Sequence, residues 1–381
     1  MLRIIKEFSI GRPQLIAGAM LLAFLAQCLW VAGNRRLSDL EYEYIASGHR
    51  PLLGQEFRVT SPFTGLVASL PMRATSIVRS VAPARLSAAL AVPRPWLLRL
   101  PFVVFGFWLG AAIWWVARRL FGDEGGYCAL ALYCFSPAMV MISTNIGPEI
   151  ILAWSSFGLI YTAIGVAHTV YSPPRKWAPR IVLLGLSIGF SIAVSLWAAT
   201  LVLLALAFIL YLTPGRRRSA LMVFVGASVL GLGILGAVAW ITGSAGAGSR
   251  ALLTPQFSME VARNVGFPLN KDTDSYVLVA LFIAALTAYG SWKRARYFGN
   301  TAPLLTSLTT VFLFALLPPA ARLWPETLGL SFLFLFIAGV AADLLETRWR
   351  RWFLWIFFAA AAIRIVESCL RLAGWIHQNP M

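Results

Sequence analysis

A chain of 381 residues that is 59% hydrophobic and only 12% charged carries more apolar surface than a water-soluble fold of that size can hide. The net charge of +17 comes mostly from basic residues that flank apolar runs. That placement makes membrane topology the source of the charge and excludes nucleic acid as the expected partner.

Apolar runs of about 20 residues recur along the whole sequence, the length that crosses a bilayer. They are rich in Leu, Ala, Val and Phe and do not alternate, so helices are expected and a barrel is not. The expected fold is an all-α polytopic membrane protein, a single membrane domain over 1–381 with about eleven transmembrane helices. No soluble C-terminal domain is expected.

In chain order, the first run, from about Gln14 to Gly33, follows Arg3, Lys6 and Arg12. It lacks a small-x-small cleavage site and reads as a retained span. Further spans are expected at 99–119, 126–142, 149–170, 181–195, 198–212, 219–241, 276–291, 301–317, 326–345 and 352–374. The stretch 181–212 is too long for one straight span, and basic clusters border both of its ends. A hairpin turning near Ser195–Ala199 places both clusters on one side. The N-terminus and the cytosolic loops then carry 17 Lys and Arg, and the short outer connections carry one, Arg322. This bias predicts a cytosolic N-terminus and, with an odd number of spans, an outer C-terminus. Two long outer loops follow, 34–98, with short juxtamembrane helices, and 242–275. The cysteines Cys28, Cys128, Cys134 and Cys369 fall inside apolar runs without metal-ligand spacing, which reads as packing.

The acids show the opposite bias. Asp39, Glu41, Glu43, Glu56, Glu149, Glu260, Asp272, Asp274 and Glu326 all fall on the outer side or at its interface, nine of the fifteen carboxylates. Such segregation points to binding or chemistry there. The stretch Ser38–Pro51, SDLEYEYIASGHRP, is the densest part. Ser38 as N-cap and Glu41 three residues later form a capping box, and Gly48 and Pro51 end the helix. Asp39 and Glu41 also suit the helix dipole, so a structural role stays open for both. A helix this short is not stable alone in water and must lie on the membrane or on other loops. Asp39 and Glu43 share a face, Tyr42 and Tyr44 suit the interface, and a carboxylate over a membrane cavity can act as general base.

In the order and spacing of its motifs the chain resembles the GT-C superfamily of integral-membrane glycosyltransferases, near the protein O-mannosyltransferases and aminoarabinose transferases. The motifs are SDLEYEYIASGH after the first span, FRVTSPFTGLVASLP, RLPFVVFGFWLGAAIWWVARRLFGDEGG, FSPAMVMISTNIGPEIILAW and the Gly-rich hairpin LLGLSIGFSIAVSLW. They cover roughly residues 1–215 as a GT-C-like module, with 216–381 as additional helices. The resemblance implies inverting transfer of a sugar from a polyprenyl-phosphate carrier to a lipid, glycan or protein acceptor. It places the site on the outer face of a membrane such as the bacterial inner membrane, among membrane lipids. By analogy Asp39 takes the acceptor proton, with Glu41 as the alternative base one register away, and Glu149 holds acceptor or metal. The chain departs from the family in having Leu40 after Asp39 and no basic residue at the turn SLWAAT. A non-catalytic scaffold in envelope-glycan assembly is the second reading. A lipid-linked-glycan transporter ranks last, because no internal repeat is visible.

Candidate substrate-binding residues are Glu43, Tyr44 and His49 beside the acids, and Arg58 and Arg99 as cations for a carrier phosphate. Arg364 and Arg371 in the last span are further phosphate candidates, set against an internal Arg364–Glu367–Arg371 ladder. His49 with Glu41 or Glu149 is compatible with a divalent metal, though no spacing motif demands one. The loop 242–275 is expected to cover the acceptor side, with Asp272 and Asp274 in a solvated turn.

Overall fold

The computed structural model describes residues 12–49, 61–81, 94–242, 259–270, 273–291, 297–317 and 324–378. Among these the architecture is helical throughout, a bundle whose apolar core runs from the first helix to the last. The expected spans appear as helices α1 (Arg12–Asn34), α4 (Pro95–Cys134), α5 (Pro137–Ser143), α6 (Pro148–Thr169), α7 (Ala178–Val194), α8 (Ala199–Leu212) and α9 (Arg217–Thr242). They continue as α11 (Tyr276–Ser291), α12 (Tyr297–Ala315), α13 (Pro325–Leu345) and α14 (Arg350–Gln378). Between them lie α2 (Asp39–His49), α3 (Pro62–Val81) and α10 (Met259–Val265). Six of the helices are long and apolar enough to cross a membrane, and four more are shorter and apolar.

Each break in the bundle has a local cause. Within α4, Gly122 takes φ 81°, a left-handed conformation in which a side chain is strained, and the chain doubles back there. The returning half lies along the first: the Tyr133 hydroxyl donates to the Gly106 carbonyl at 2.6 Å. The expected spans 99–119 and 126–142 are thus two arms of one hairpin, and Ser136–Pro137 interrupts the second arm before α5. Gly147 and Pro148 open α6. Ser195, in extended conformation, makes the predicted turn between α7 and α8, and the Trp197 indole donates to the Leu313 carbonyl of α12 at 2.6 Å. Arg350 bonds to Glu124, so the Gly122 turn and the α13–α14 connection share one end of the bundle. The count of basic residues places both connections there.

The expected outer loop 34–98, with its short juxtamembrane helices, holds α3 at residues 62–81, a helix of 20 residues that packs on α2, α4, α7 and α9. Ser61 is its cap: its hydroxyl accepts the Thr64 amide at 3.4 Å, and Pro62 supplies the fixed φ that opens a helix. Those two residues were the available signal.

Helices α7 and α9 show why the glycine-rich hairpin is glycine-rich. A Cβ on Gly189 would stand 2.8 Å from the Ile234 Cβ and 3.0 Å from the Gly231 carbonyl oxygen. One on Gly185 would meet the Ala227 carbonyl oxygen at 2.9 Å. In lipid, helices associate largely by such close packing of small residues. Gly189→Leu is expected to force α7 and α9 apart and cost roughly 1–3 kcal/mol, read as a lower melting temperature in lipid nanodiscs.

Candidate functional site

The site grows from the end of the first span. The Ser38–Glu41 capping box forms as the sequence predicts: the Ser38 amide donates to Glu41 Oε2 at 2.8 Å and the Glu41 amide to Ser38 Oγ at 3.3 Å. Glu41 does far more than cap, however. It is fully buried, and its oxygens also accept Arg35 Nη2 at 2.6 Å, Arg99 Nε and Nη2 at 3.0 Å each, and the Ile146 amide at 3.2 Å. One carboxylate therefore joins the end of α1, the start of α4 and the loop between α5 and α6. Burial by itself raises its pKa, but hydrogen bonds from Arg99 and the charges of Arg99 and Arg35 outweigh this and hold it below the usual carboxylate range. A base with every lone pair engaged is poorly placed to take a proton.

Arg99 is just as fully used. Besides Glu41 it donates Nη1 to the carbonyls of Ala32 (3.1 Å) and Arg35 (2.7 Å) and Nη2 to that of Arg36 (2.7 Å). All five guanidinium N–H groups are spent, three of them on carbonyls at the C-terminus of α1 and in the two residues just past it. Arg99 has no donor left for a carrier phosphate, which corrects its assignment as a phosphate ligand. Arg35 differs. Among the described residues only its Nη2 is engaged, with Glu41, with Asn145 Oδ1 at 3.1 Å and with the Thr144 carbonyl at 3.5 Å, and its buried Nε has no partner. Burial pulls its pKa down to about 10 against the opposing pull of Glu41, so it remains a cation at neutral pH. The sequence reading did not single out Arg35. Its signal was an Arg-Arg pair at the end of the first span that the charge bias assigns to the outer side, where basic residues are disfavoured.

The other acids sit around this hub. Asp39, in the first turn of α2, is exposed and makes no side-chain hydrogen bond or ion pair among the described residues. Glu43 is half-buried, and its Oε2 is buried without a partner among the described residues. Tyr44 is buried in the apolar core, so it supports α2 from beneath and presents no surface to a substrate. Glu149 stands in the first turn of α6, buried, bonded to its own amide and to no cation among the described residues. Its carboxylate lies over Gly147, where a Cβ would come within 2.3 Å of Oε2. Because Ile146 is tied to Glu41, the segment carrying Glu149 is docked against α2. Glu149→Gln is expected to leave the melting temperature unchanged or raise it, because a buried carboxylate without a cation is costly, while activity falls. Opposite shifts in the two measurements mark a functional acid; a loss of both marks a structural one.

Arg58 lies outside the described residues, as does the side chain of His49, the last residue of α2. Glu41 is closed to a metal by its arginines, which corrects its pairing with His49. Among the described residues no group of three or more His, Cys, Asp or Glu gathers as a metal site would. Arg364 is buried and pairs with Asp274 at 2.5 Å, not with Glu367. This corrects the expectation of a three-residue ladder. It also corrects Asp274, which is buried rather than in a solvated turn. Asp272 lies outside the described residues. Arg371 pairs with Glu367 at 3.2 Å, the half of the ladder that forms.

Comparison with known proteins bears on this arrangement. Residues 82–241, less than half of the chain, match the sequence profile of the dolichyl-phosphate-mannose-protein mannosyltransferase family. The match begins beyond the acidic helix. The structure superposes on ArnT from Cupriavidus metallidurans bound to undecaprenyl phosphate with a TM-score of 0.63 at 14% identity, over 93% of this chain and 63% of that one. Against apo ArnT of the same organism the TM-score is 0.59 at 14% identity, over 89% of this chain and 60% of that one. The chain has the fold of these ArnT structures. It is an integral-membrane protein and spans about three-fifths of the length of the ArnT structures it matches. No curated protein sequence matches it.

Proposed function

We propose that this GT-C protein is a glycosyltransferase that moves a sugar from a polyprenyl-phosphate carrier to an acceptor on the outer face of the membrane, by inverting displacement. The observation that carries the reading is Asp39: an exposed carboxylate without a partner among the described residues, at the outlet of the first span, on a short helix fixed in place by the buried Glu41 hub. In an inverting transfer this carboxylate accepts the proton of the acceptor hydroxyl as the oxygen attacks the anomeric carbon and the carrier phosphate leaves. Arg35, with donors to spare, is the cation suited to that phosphate. In this reading Glu43 and Glu149 hold acceptor hydroxyls. An aromatic lane of Phe63, Phe190, Trp154, Phe105 and Trp108, with ring centres 5.2–6.2 Å apart, lies between α3, α4, α6 and α7 and suits an isoprenoid tail. The likeness of the fold to a protein solved with undecaprenyl phosphate supports a carrier of that class. The segregation of acids and basic residues supports the outer face of a bacterial inner membrane.

The test is mass spectrometry of the host's envelope glycolipids, polysaccharides and glycoproteins. A deletion strain is compared with the same strain carrying wild type or Asp39→Asn. Loss of one sugar, restored by wild type alone, identifies a transferase and its acceptor. Restoration by Asp39→Asn as well would move the reading to a non-catalytic scaffold.

A further inference from the structure

The second arm of the α4 hairpin is interrupted at Phe135–Ser136, where α4 ends and α5 begins. Both loose ends are held by charges brought from far along the chain. Arg364 of α14 donates Nη2 to the Leu132 carbonyl, in the last turn of α4, at 2.9 Å. Asp274, ahead of α11, accepts the hydroxyl of Ser136, the N-cap of α5, and the amide of Ala138 at 3.4 Å. The two charges meet at 2.5 Å, and Ser275 Oγ accepts Arg364 Nη1 at 2.6 Å. A cation at a helix C-terminus and an anion at an N-terminus each have the sign the helix dipole favours. From Ser143, the end of α5, the chain passes directly into Thr144, Asn145 and Ile146, which bind Arg35 and Glu41, and then into Glu149. Further along α14, Trp375 lies 4.3 Å from the Arg35 guanidinium. The rest of α14 is loosely held: Arg364, Ser368 and Leu372 are its buried residues, while Trp352, Trp355, Phe358 and Leu370 face outward.

We infer that the last helix, outside the matched family segment, positions the site from both sides. Arg364, through Asp274, sets the start of α5 and with it the 144–149 loop; Trp375 sets Arg35. Arg364, Asp274 and Trp375 are positioning residues and touch no reacting atom. Their effect on transfer rests on the proposed function; their effect on the loop does not.

The experiment is hydrogen exchange read by mass spectrometry on the full chain in lipid nanodiscs, with transfer rates measured on the same samples. The variants are Arg364→Gln, Arg364→Gln with Asp274→Asn, Trp375→Leu and Trp375→Phe. Arg364→Gln leaves a buried aspartate without its cation, so amides of 136–147 are expected to exchange faster. The double variant is neutral, its two amide side chains can hydrogen-bond, and exchange is expected to return toward wild type. Trp375→Leu should speed exchange in 32–45, and Trp375→Phe, which keeps a ring over Arg35, should not. In the transfer assay the two fast-exchanging variants are expected to lose about 10- to 100-fold in kcat with little change in donor KM, because reacting groups are displaced while donor contacts persist. Exchange changes confined to 270–276 and 360–378, or a double variant as fast as the single one, would overturn the inference. The predicted exchange pattern in a wild-type chain that transfers no sugar would uphold the positioning and overturn the transferase reading.

Discussion

Asp39→Asn is expected to lower kcat by about 10²–10⁴-fold, the usual contribution of a general base, without lowering the melting temperature by more than a degree or two. Asp39 is exposed and bonded to nothing among the described residues. Its one structural contribution is a favourable position at a helix N-terminus, worth about 0.3–1 kcal/mol. Asparagine is isosteric and tolerated in the first turn, so a large effect on rate cannot be charged to the fold. The measurement is single-turnover transfer from a polyprenyl-phosphate sugar in nanodiscs, with thermal unfolding of the same preparation. An Asn variant within a factor of about three of wild type would make Asp39 a helix-terminal acid and remove the proposed base.

Glu41→Gln is expected to behave in the opposite way: a loss of roughly 3–5 kcal/mol of stability, with activity lost because the site is no longer assembled. The buried hub holds two guanidinium groups against one carboxylate, so it already carries an excess positive charge. Removing the anion leaves Arg35 and Arg99 facing each other without compensation. The pH dependence has a definite sign. The Glu41 pKa is lowered in the folded state, so its contribution to stability is fully present above the unfolded carboxylate pKa of about 4.3. It is lost as pH falls through the folded value, which lies below that. Wild type should therefore lose stability on acidification below about pH 4, and Glu41→Gln should lack that component. Thermal unfolding across pH 3–7 for both proteins checks it. A Gln variant as stable as wild type at pH 7 would show that Arg35 and Arg99 find other partners.

The two acids stand two residues apart and look alike in sequence, yet they divide the work. Both suit a helix start, and the sequence left open which one was the base. What separates them is position on the helix. The carboxylate of Glu41 faces inward to the bundle and meets Arg99 from 58 residues away, whereas Asp39 stays at the surface. The same holds at Asp274. A turn of the form KDTDS reads as solvated, and only packing brings Arg364 to it from 90 residues further along.

Local and compositional physics was legible in the sequence alone. Apolar run length set the spans, because lipid admits little else. The turn at Ser195 was legible, because backbone geometry is a property of the residue and its neighbours, whereas the break at Ser136–Pro137 falls inside the expected span 126–142. The Ser38–Glu41 capping box set the acidic helix, because its partners are three residues apart. Only the tertiary structure decided which charge met which. Any arginine on the outer side satisfies the same composition, and ion pairs across the bundle depend on how helices pack and on which donors the helix ends have already consumed. That is why Arg99, a plausible phosphate ligand by sequence, is spent on carbonyls and a buried acid and Arg364 is paired with Asp274, while Arg35 keeps an Nε without a partner among the described residues.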